Sequence, residues 1–237
     1  MSVQECVRGV QERVAAAAIA AGRDPKEITL CAATKVQSDQ TIAQAIAAGI
    51  AVCGENRVQE LTAHLEADAY AGAEVHFIGH LQTNKVKQVV GKVTLIHSVD
   101  SERLLRAIDT QAAKLGIRQD ILLEVNIAGE ESKGGISPEE LRPLAELALA
   151  LEHIRLRGLM AIPPVSTEPG SNRRFFGEMR QLFVDIREKV AHNQAEYDCL
   201  SMGMSNDFED AIAEGSTLVR VGTALFGPRP PMVVTQQ

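Results

Sequence analysis

Short runs of β-type residues recur along the whole chain, at 28–35, 50–54, 75–79, 94–98, 120–127, 154–162, 197–202 and 217–222. Between them lie segments with helical apolar spacing, such as Ile42, Ala45 and Ile46, or Leu104, Leu105 and Ile108. Leu141, Leu144, Ala145, Leu147 and Ala148 form another, and so do Phe175, Met179, Leu182, Phe183 and Ile186. Strand–helix alternation from end to end argues a parallel α/β fold, because a parallel strand pair needs a crossover and a helix is the usual one.

The residues between elements are asymmetric. Gly22, Gly49, Gly72, Gly91, Gly116 and Gly215 each fall between a helical segment and the next strand, where a helix end favours a left-handed residue. The opposite connections carry helix starts. Ser137, Pro138, Glu139 and Glu140 read as a capping box with Pro at the first helical position, and Asn206 with Glu209 has the same spacing. One end of the molecule is therefore expected to hold tight turns, and the other polar, Gly-bearing loops.

Eight strands in 237 residues fit a (β/α)₈ TIM barrel, which typically takes about 250. A doubly wound open sheet is the other candidate. The segment 228–237 has three Pro, so no eighth outer helix of the usual kind is expected after the last strand. A spare helix lies at the front instead. Val3, Val7, Val10 and Val14 make an apolar stripe ahead of the first strand, suited to covering the gap. No internal repeat or linker divides the chain, the longest loop candidate being 163–171, so residues 1–237 read as one domain.

Composition narrows the class. A hydrophobic fraction of 45% is ordinary for a globular protein, and no run approaches the ~20 apolar residues of a membrane span. The Ala-rich stretch 14–21 follows Glu5 and Glu12, unlike a signal peptide. A formal charge of −7 argues against nucleic-acid or membrane-surface binding. Cys6, Cys31, Cys53 and Cys199 have no metal-type spacing and suggest reduced thiols in a cytoplasmic protein.

In a barrel of this kind function sits at the C-terminal strand ends. The first run ends in Thr34 and Lys35, and alternation puts Cys31, Ala33 and Lys35 on one face. Desolvated in the barrel mouth, Lys35 would favour the neutral amine that attacks a carbonyl; a snorkelling surface lysine is the alternative. Asn56, after the second run, suits either a bound ring or a plain helix cap. His76 and His80 sit in a strand-to-turn context that does not align them on one helical face, so no metal pair is expected. Glu124 and Asn126 alternate against Leu123, Val125 and Ile127 and are expected to face inward.

The last two runs lead into Ser201, Met202, Gly203, Met204, Ser205, Asn206 and Asp207, and into Arg220, Val221, Gly222 and Thr223. The loops after strands seven and eight are the usual phosphate site of this architecture. Hydroxyls and two Gly that admit close backbone approach suit a dianion; ordinary tight turns are the alternative. Arg220, on the face of Gly222, needs a carboxylate or a ligand acceptor if buried. A lysine amine facing a phosphate cup describes an aldehyde–phosphate ligand, and pyridoxal 5′-phosphate has both groups. An Arg beside its pyridine nitrogen would leave that nitrogen unprotonated and weaken the ring as an electron sink.

The segments CAATKVQSDQTI, GENRVQEL, VHFIGHLQTNKVK, IHSVDSERL, LEVNIAGEESKGGI, LRGLMAIPP and LSMGMSNDFEDAIAEGSTLVRVGTALFG resemble the pyridoxal phosphate homeostasis protein family. They span nearly the whole chain. The resemblance implies a fold-type III barrel similar to the N-terminal domain of alanine racemase, without that enzyme's second domain. It implies Lys35 as the lysine of the internal aldimine, Asn56 beside the ring and Arg220 near the pyridine nitrogen. Phosphate would be held by Ser201, Met202 and Gly203 and by Gly222 and Thr223. Many members follow the lysine with a second Lys and a Pro; here Val36, Gln37 and Ser38 stand in that stretch, and Lys133 matches another family lysine.

The family implies a protein that binds and buffers or delivers its cofactor in the cytoplasm, to partners such as apo-forms of enzymes that use it, without turnover. An amino-acid racemase is the alternative. Racemisation needs a second acid/base group across the Cα from Lys35. Tyr70 and Tyr197 are expected at the opposite end of the barrel, which leaves Cys53 as the best remaining candidate, against its reading as a small core residue. A Schiff-base aldolase using Glu55 or Glu124 is a third, weaker reading. A monomer is expected.

Overall fold

In the computed structural model, which describes residues 2–130, 132–165 and 168–228, eight parallel strands close into a barrel in sequence order. The strands are β1 (Thr29–Ala33), β2 (Val52–Glu55), β3 (Glu74–Phe77), β4 (Leu95–Val99), β5 (Gln119–Glu124), β6 (Ile154–Met160), β7 (Cys199–Ser201) and β8 (Leu218–Val221). Closure is made by β1 on β8, with Thr29 opposite Leu218 and Ala32 opposite Val221. The open-sheet alternative is thereby excluded.

The helices are α1 (Val3–Ala20), α2 (Asp39–Ala47), α3 (Val58–Glu66), α4 (Glu102–Leu115), α5 (Pro138–Ala150), α6 (Arg173–Lys189), α7 (Phe208–Ala213) and α8 (Thr223–Phe226). Only a 3₁₀ segment, Thr83–Gln88, links β3 to β4. As expected, α1 precedes the barrel and packs on α2, α7 and the four-residue α8, burying Val7, Val10, Val14 and Ala18. It occupies the place a full eighth helix would take. Of the segment 228–237, only Pro228 falls within the described residues, as does part of the loop 163–171.

Two apolar layers follow from strand alternation. Outward residues such as Ala32, Cys53, Phe77, Ile96 and Val219 pack under the helices. Inward residues Cys31, Ala33, Val52, Ile78, Leu95, Leu122, Met160, Cys199 and Leu218 form a separate cluster inside the barrel. The six inter-element glycines all have positive φ, and Gly116 at φ 65° closes α4 as a left-handed cap.

Some boundaries differ from expectation. β1 stops at Ala33, so Lys35 lies in the turn beyond it, where the Gln37 N–H donates to the Thr34 carbonyl at 3.0 Å. β5 stops at Glu124 because the Asn126 N–H turns to the Ile136 carbonyl of its own loop, at 2.9 Å. The N-cap of α7 is Asp207, not Asn206: its carboxylate is drawn back to the Met204 N–H, 2.7 Å away, and fixes the turn after β7. At α5 the Ser137 N–H donates to Glu140 Oε2 at 3.0 Å, as the capping-box spacing predicts.

Candidate functional site

Lys35, Asn56, Arg220, Gly222 and Thr223 line one cavity of about 410 Å³ at the C-terminal strand ends. Ala33, Ile78 and Ile162 give it apolar wall, and Lys133, Met204, Ser205, Asn206 and Asp207 reach it from the loops after β5 and β7. The volume is in the range of small-molecule sites, about 300–1,000 Å³.

Lys35 is half-buried and held by a strained turn. Val36 has φ 63°, the left-handed region that a β-branched residue rarely enters. The Val36 N–H donates to Glu60 Oε2 at 2.9 Å, and Glu60 Oε1 accepts from Arg57 at 3.3 Å. Behind the turn, buried Thr34 donates to Glu55 Oε1 at 2.6 Å. The Tyr70 hydroxyl donates to the same oxygen at 2.8 Å, and His64 Nδ1 lies 3.0 Å from it. Glu55 thus pins the ends of β1 and β2 from the helix side and is absent from the cavity wall.

Asn56 is not a helix cap, since α3 starts after Arg57. Its Oδ1 is buried with no hydrogen-bond partner among the described residues, although Asn56 lines the cavity. A buried amide oxygen without a partner costs about 1–3 kcal/mol, so a donor-bearing or polar ring edge there would relieve it.

Arg220 is 4% exposed. Its guanidinium donates to Ser201 Oγ and, at 2.9 Å, to the Ala161 carbonyl. Both acceptors are neutral. Burial lowers its pKa from the ordinary guanidinium value, while Cys31, Glu124 and Asp207 oppose that shift. Arg220 has no acceptor atom, so its remaining N–H groups suit a ring nitrogen or an anion.

The two terminal loops meet at Ser205. Its Oγ accepts from the Gly222 and Ala224 N–H groups, each at 3.2 Å. Ser201, Met202 and Gly203 do not line the cavity. Ser201 is fully buried and faces Arg220 and His97; Met202 is fully buried in the outer core. Gly203, at φ 93°, lets the loop press on α7, where a Cβ would stand 2.5 Å from that of Ala211. Its carbonyl accepts from the Arg220 N–H at 3.0 Å. Ser205 was legible only as one hydroxyl in a polar string; which hydroxyl faces the cavity depends on the turn that Gly203 makes.

The other candidates separate cleanly. Cys53 is wholly buried under the helices and its thiol is pushed up to about 12 by burial. Tyr197 stacks on Phe183, and burial raises its pKa. Tyr70 lies in the connection before β3, yet its ring reaches back to Glu55 rather than staying at the far end; it too is off the cavity. Glu124 faces inward as expected and burial raises its carboxyl to about 7. Asn126 instead closes its own loop, donating to the Glu130 carbonyl at 2.9 Å. His76 points into the barrel to His97, whereas His80 is exposed beside Asp100, 3.5 Å away.

Among the described residues, Lys35, Lys133 and Arg220 line the cavity against one carboxylate, Asp207, which is engaged by Met204 and by Asn172 at 2.8 Å. Cationic lining, an unpartnered Asn56 oxygen and backbone N–H groups gathered at a serine fit an anionic aromatic ligand such as pyridoxal 5′-phosphate.

Residues 19–230 match the family described as alanine racemase, N-terminal domain. The pyridoxal phosphate homeostasis protein of Aquifex aeolicus is 45% identical over 233 residues, 97% of this chain and 99% of that protein. A structure described as an unknown protein from Bifidobacterium adolescentis superposes with a TM-score of 0.88 at 40% identity, covering 94% of each chain. The structure of PipY of Synechococcus elongatus with PLP bound superposes with a TM-score of 0.76 at 33% identity, covering 92% of this chain and all of that one (100%).

Proposed function

The chain belongs to the alanine racemase N-terminal domain family and, within it, to the pyridoxal phosphate homeostasis proteins, and from that premise we propose that it binds pyridoxal 5′-phosphate and keeps it available to the cell. The observation that carries this reading is the convergence of Lys35, Arg220 and the loops after β7 and β8 on one cavity.

Lys35 supplies the amine, presented by the turn that Glu60 holds. Ser205, its Oγ held by the Gly222 and Ala224 N–H groups, would donate its hydroxyl proton to the phosphate, with Thr223 beside it. Arg220 would donate toward the pyridine nitrogen, and Asn56 would lie along the ring. Ser201, Met202 and Gly203 act in this reading by shaping the loop and anchoring Arg220. The cofactor supplies an aldehyde that condenses with an amine and an aromatic ring that takes up electron density. An Arg rather than a carboxylate beside the ring nitrogen would disfavour its protonation, which would suit holding the cofactor better than carbanion chemistry.

Storage and delivery follow from the same site. Half-buried Lys35 and exposed Thr223 leave the cavity mouth accessible, and a cofactor handed on must leave. The four free cysteines suit a reducing, cytoplasmic setting. Among the described residues no helix is long and apolar enough to cross a membrane. The reading requires only one copy of the chain, and size-exclusion chromatography with light scattering tests the monomer.

The test is titration with pyridoxal 5′-phosphate followed by borohydride reduction and peptide mass spectrometry. Lys35 should carry the added mass, and Lys35→Ala should carry none there. Labelling elsewhere with Lys35 untouched refutes the site. Faster activation of an apo-enzyme by loaded protein than by spontaneous release supports delivery; equal rates leave storage alone. Cα-proton exchange of amino acids in D₂O above the Lys35→Ala level would instead establish turnover.

A further inference from the structure

TIM-barrel interiors are ordinarily filled by layers of Val, Ile and Leu. Here a polar column runs through the interior beside the apolar cluster of Val52, Leu95, Leu122, Met160 and Leu218. Arg220 on β8 donates to Ser201 Oγ on β7; Ser201 Oγ lies 3.0 Å from His97 Nδ1 on β4; His97 Nε2 lies 3.0 Å from His76 Nδ1 on β3. His76 Nε2 stands 3.8 Å from Glu74 Oε2, near the opposite barrel end. Four side chains from four strands are thus joined end to end, and all are at most 5% exposed. A buried polar chain is tolerated only when its members satisfy one another.

The column has one direction. A guanidinium can only donate, so the Ser201 oxygen accepts from Arg220. Among the described residues the Ser201 proton then has one acceptor in reach, His97 Nδ1. His97 must therefore carry its own proton on Nε2 and donate it to His76 Nδ1, which leaves the His76 proton on Nε2, toward the Glu74 carboxylate. The reverse direction would leave the Ser201 hydroxyl proton buried without an acceptor. A one-residue bulge in β4 accompanies the arrangement: Ile96 pairs with Ile121 and Val99 with Leu123, so three steps on β4 match two on β5. The bulge lets His97 face inward while Val99 packs outward.

We propose that His97 is a positioning residue for Arg220: by accepting the Ser201 hydroxyl proton it turns the serine oxygen to the guanidinium and fixes it at the cavity wall, while His76 Nδ1 accepts the His97 Nε2 proton. This rests on the reading that the cavity holds pyridoxal 5′-phosphate only where affinity is the readout; the hydrogen-bond polarity belongs to the chain alone.

Two measurements test it. Long-range ¹H–¹⁵N correlation spectra of histidine-labelled protein, without added cofactor, should show His97 protonated at Nε2 and bare at Nδ1; the opposite tautomer overturns the proposal. In pyridoxal 5′-phosphate titrations, His97→Leu and Ser201→Ala should each weaken binding about tenfold and shift the absorbance of the bound cofactor, as one lost hydrogen bond implies. The double variant should lose no more than either alone. His97→Asn, which keeps an acceptor near the Nδ1 position, should recover most of the loss. Equal loss in the Asn and Leu variants, or additive losses, means a merely structural residue and overturns the proposal. If a variant fails to fold by circular dichroism, the wild-type tautomer still decides. Absence of cofactor binding in the wild type would sink the proposed function and leave the tautomer result standing.

Discussion

A Cβ on Gly79 would stand 2.0 Å from the carbonyl oxygen of Asn56. The segment after β3 therefore passes against the backbone of the residue whose side-chain oxygen is unpartnered at the cavity. No side chain fits there without moving the Asn56 backbone. Gly79→Ala is expected to destabilise the fold by ~1–3 kcal/mol, the range for overpacking, and to weaken pyridoxal 5′-phosphate binding more than a distant variant of equal stability. Urea unfolding with a parallel cofactor titration checks it; unchanged affinity would mean that Asn56 does not contact the ligand.

Val36 stores strain beside Lys35. At φ 63° a β-branched residue is disfavoured, whereas Asn visits that region readily. Val36→Asn should therefore raise stability by ~1 kcal/mol, and Glu60→Ala should lower it by less than about 1 kcal/mol, because water replaces the acceptor at a partly exposed turn. Denaturant midpoints of the two variants are the readout. A destabilised Val36→Asn would show that packing of the valine outweighs its backbone strain.

Glu124 makes the fold less stable as pH rises from 4.5 to about 7. Burial, then the Asp100 charge, raises its carboxyl to about 7 from 4.5. The folded barrel favours the protonated form, so this contribution is complete below pH 4.5 and is lost as pH rises through 7, at ~1.4 kcal/mol per unit. Glu124→Gln should be more stable than wild type at pH 8 by ~1–3 kcal/mol, the advantage disappearing below the unfolded-chain value. Thermal melts at several pH values decide the sign.

His76 acts in the opposite direction. Burial, with Arg157 adding to it, lowers its pKa from 6.5 to about 4, while Asp120 opposes the shift. His97 is lowered as well, by burial and by the His76 and Arg220 charges. Unfolded chain takes up protons that the barrel refuses, so stability is full above pH 6.5 and falls as pH drops toward 4. Replacing His76 by Gln should flatten that fall by ~1.4 kcal/mol per pH unit, measured as the difference between variant and wild type at pH 7, 6 and 5. An identical slope in both proteins would place the His76 proton uptake elsewhere.

Most of the architecture is legible in the sequence. The eight strands, the leading helix and its valine stripe, and the inward direction of Glu124 and Arg220 follow from periods of two and 3.6, which are local properties of the chain, whereas Lys35 lies beyond the end of β1 and owes its direction to the turn at Val36. Gly22, Gly49, Gly116 and Gly215 are equally local, since each follows a helix end that requires a left-handed residue; Gly72 and Gly91 lie farther on, the left-handed residue after α3 being Asp68 at φ 54°. Family motifs added the cofactor, but they did not distinguish Ser205 from Ser201.

Which of the two serines borders the cavity is a matter of tertiary packing. Ser201 meets Arg220 and His97 only because the barrel closes β8 against β1 and β7 and brings β4 across the interior. Nothing in the spacing around Leu95 announces the β4 bulge, and Asn56 could be parted from the role of helix cap only by knowing where α3 begins. Gly79 likewise gains its meaning from Asn56, far away in sequence and adjacent in space. Periodicity tells a residue which way to face; bulges, closure and loop contacts decide what it faces, and these depend on pairings between distant segments that no local pattern encodes.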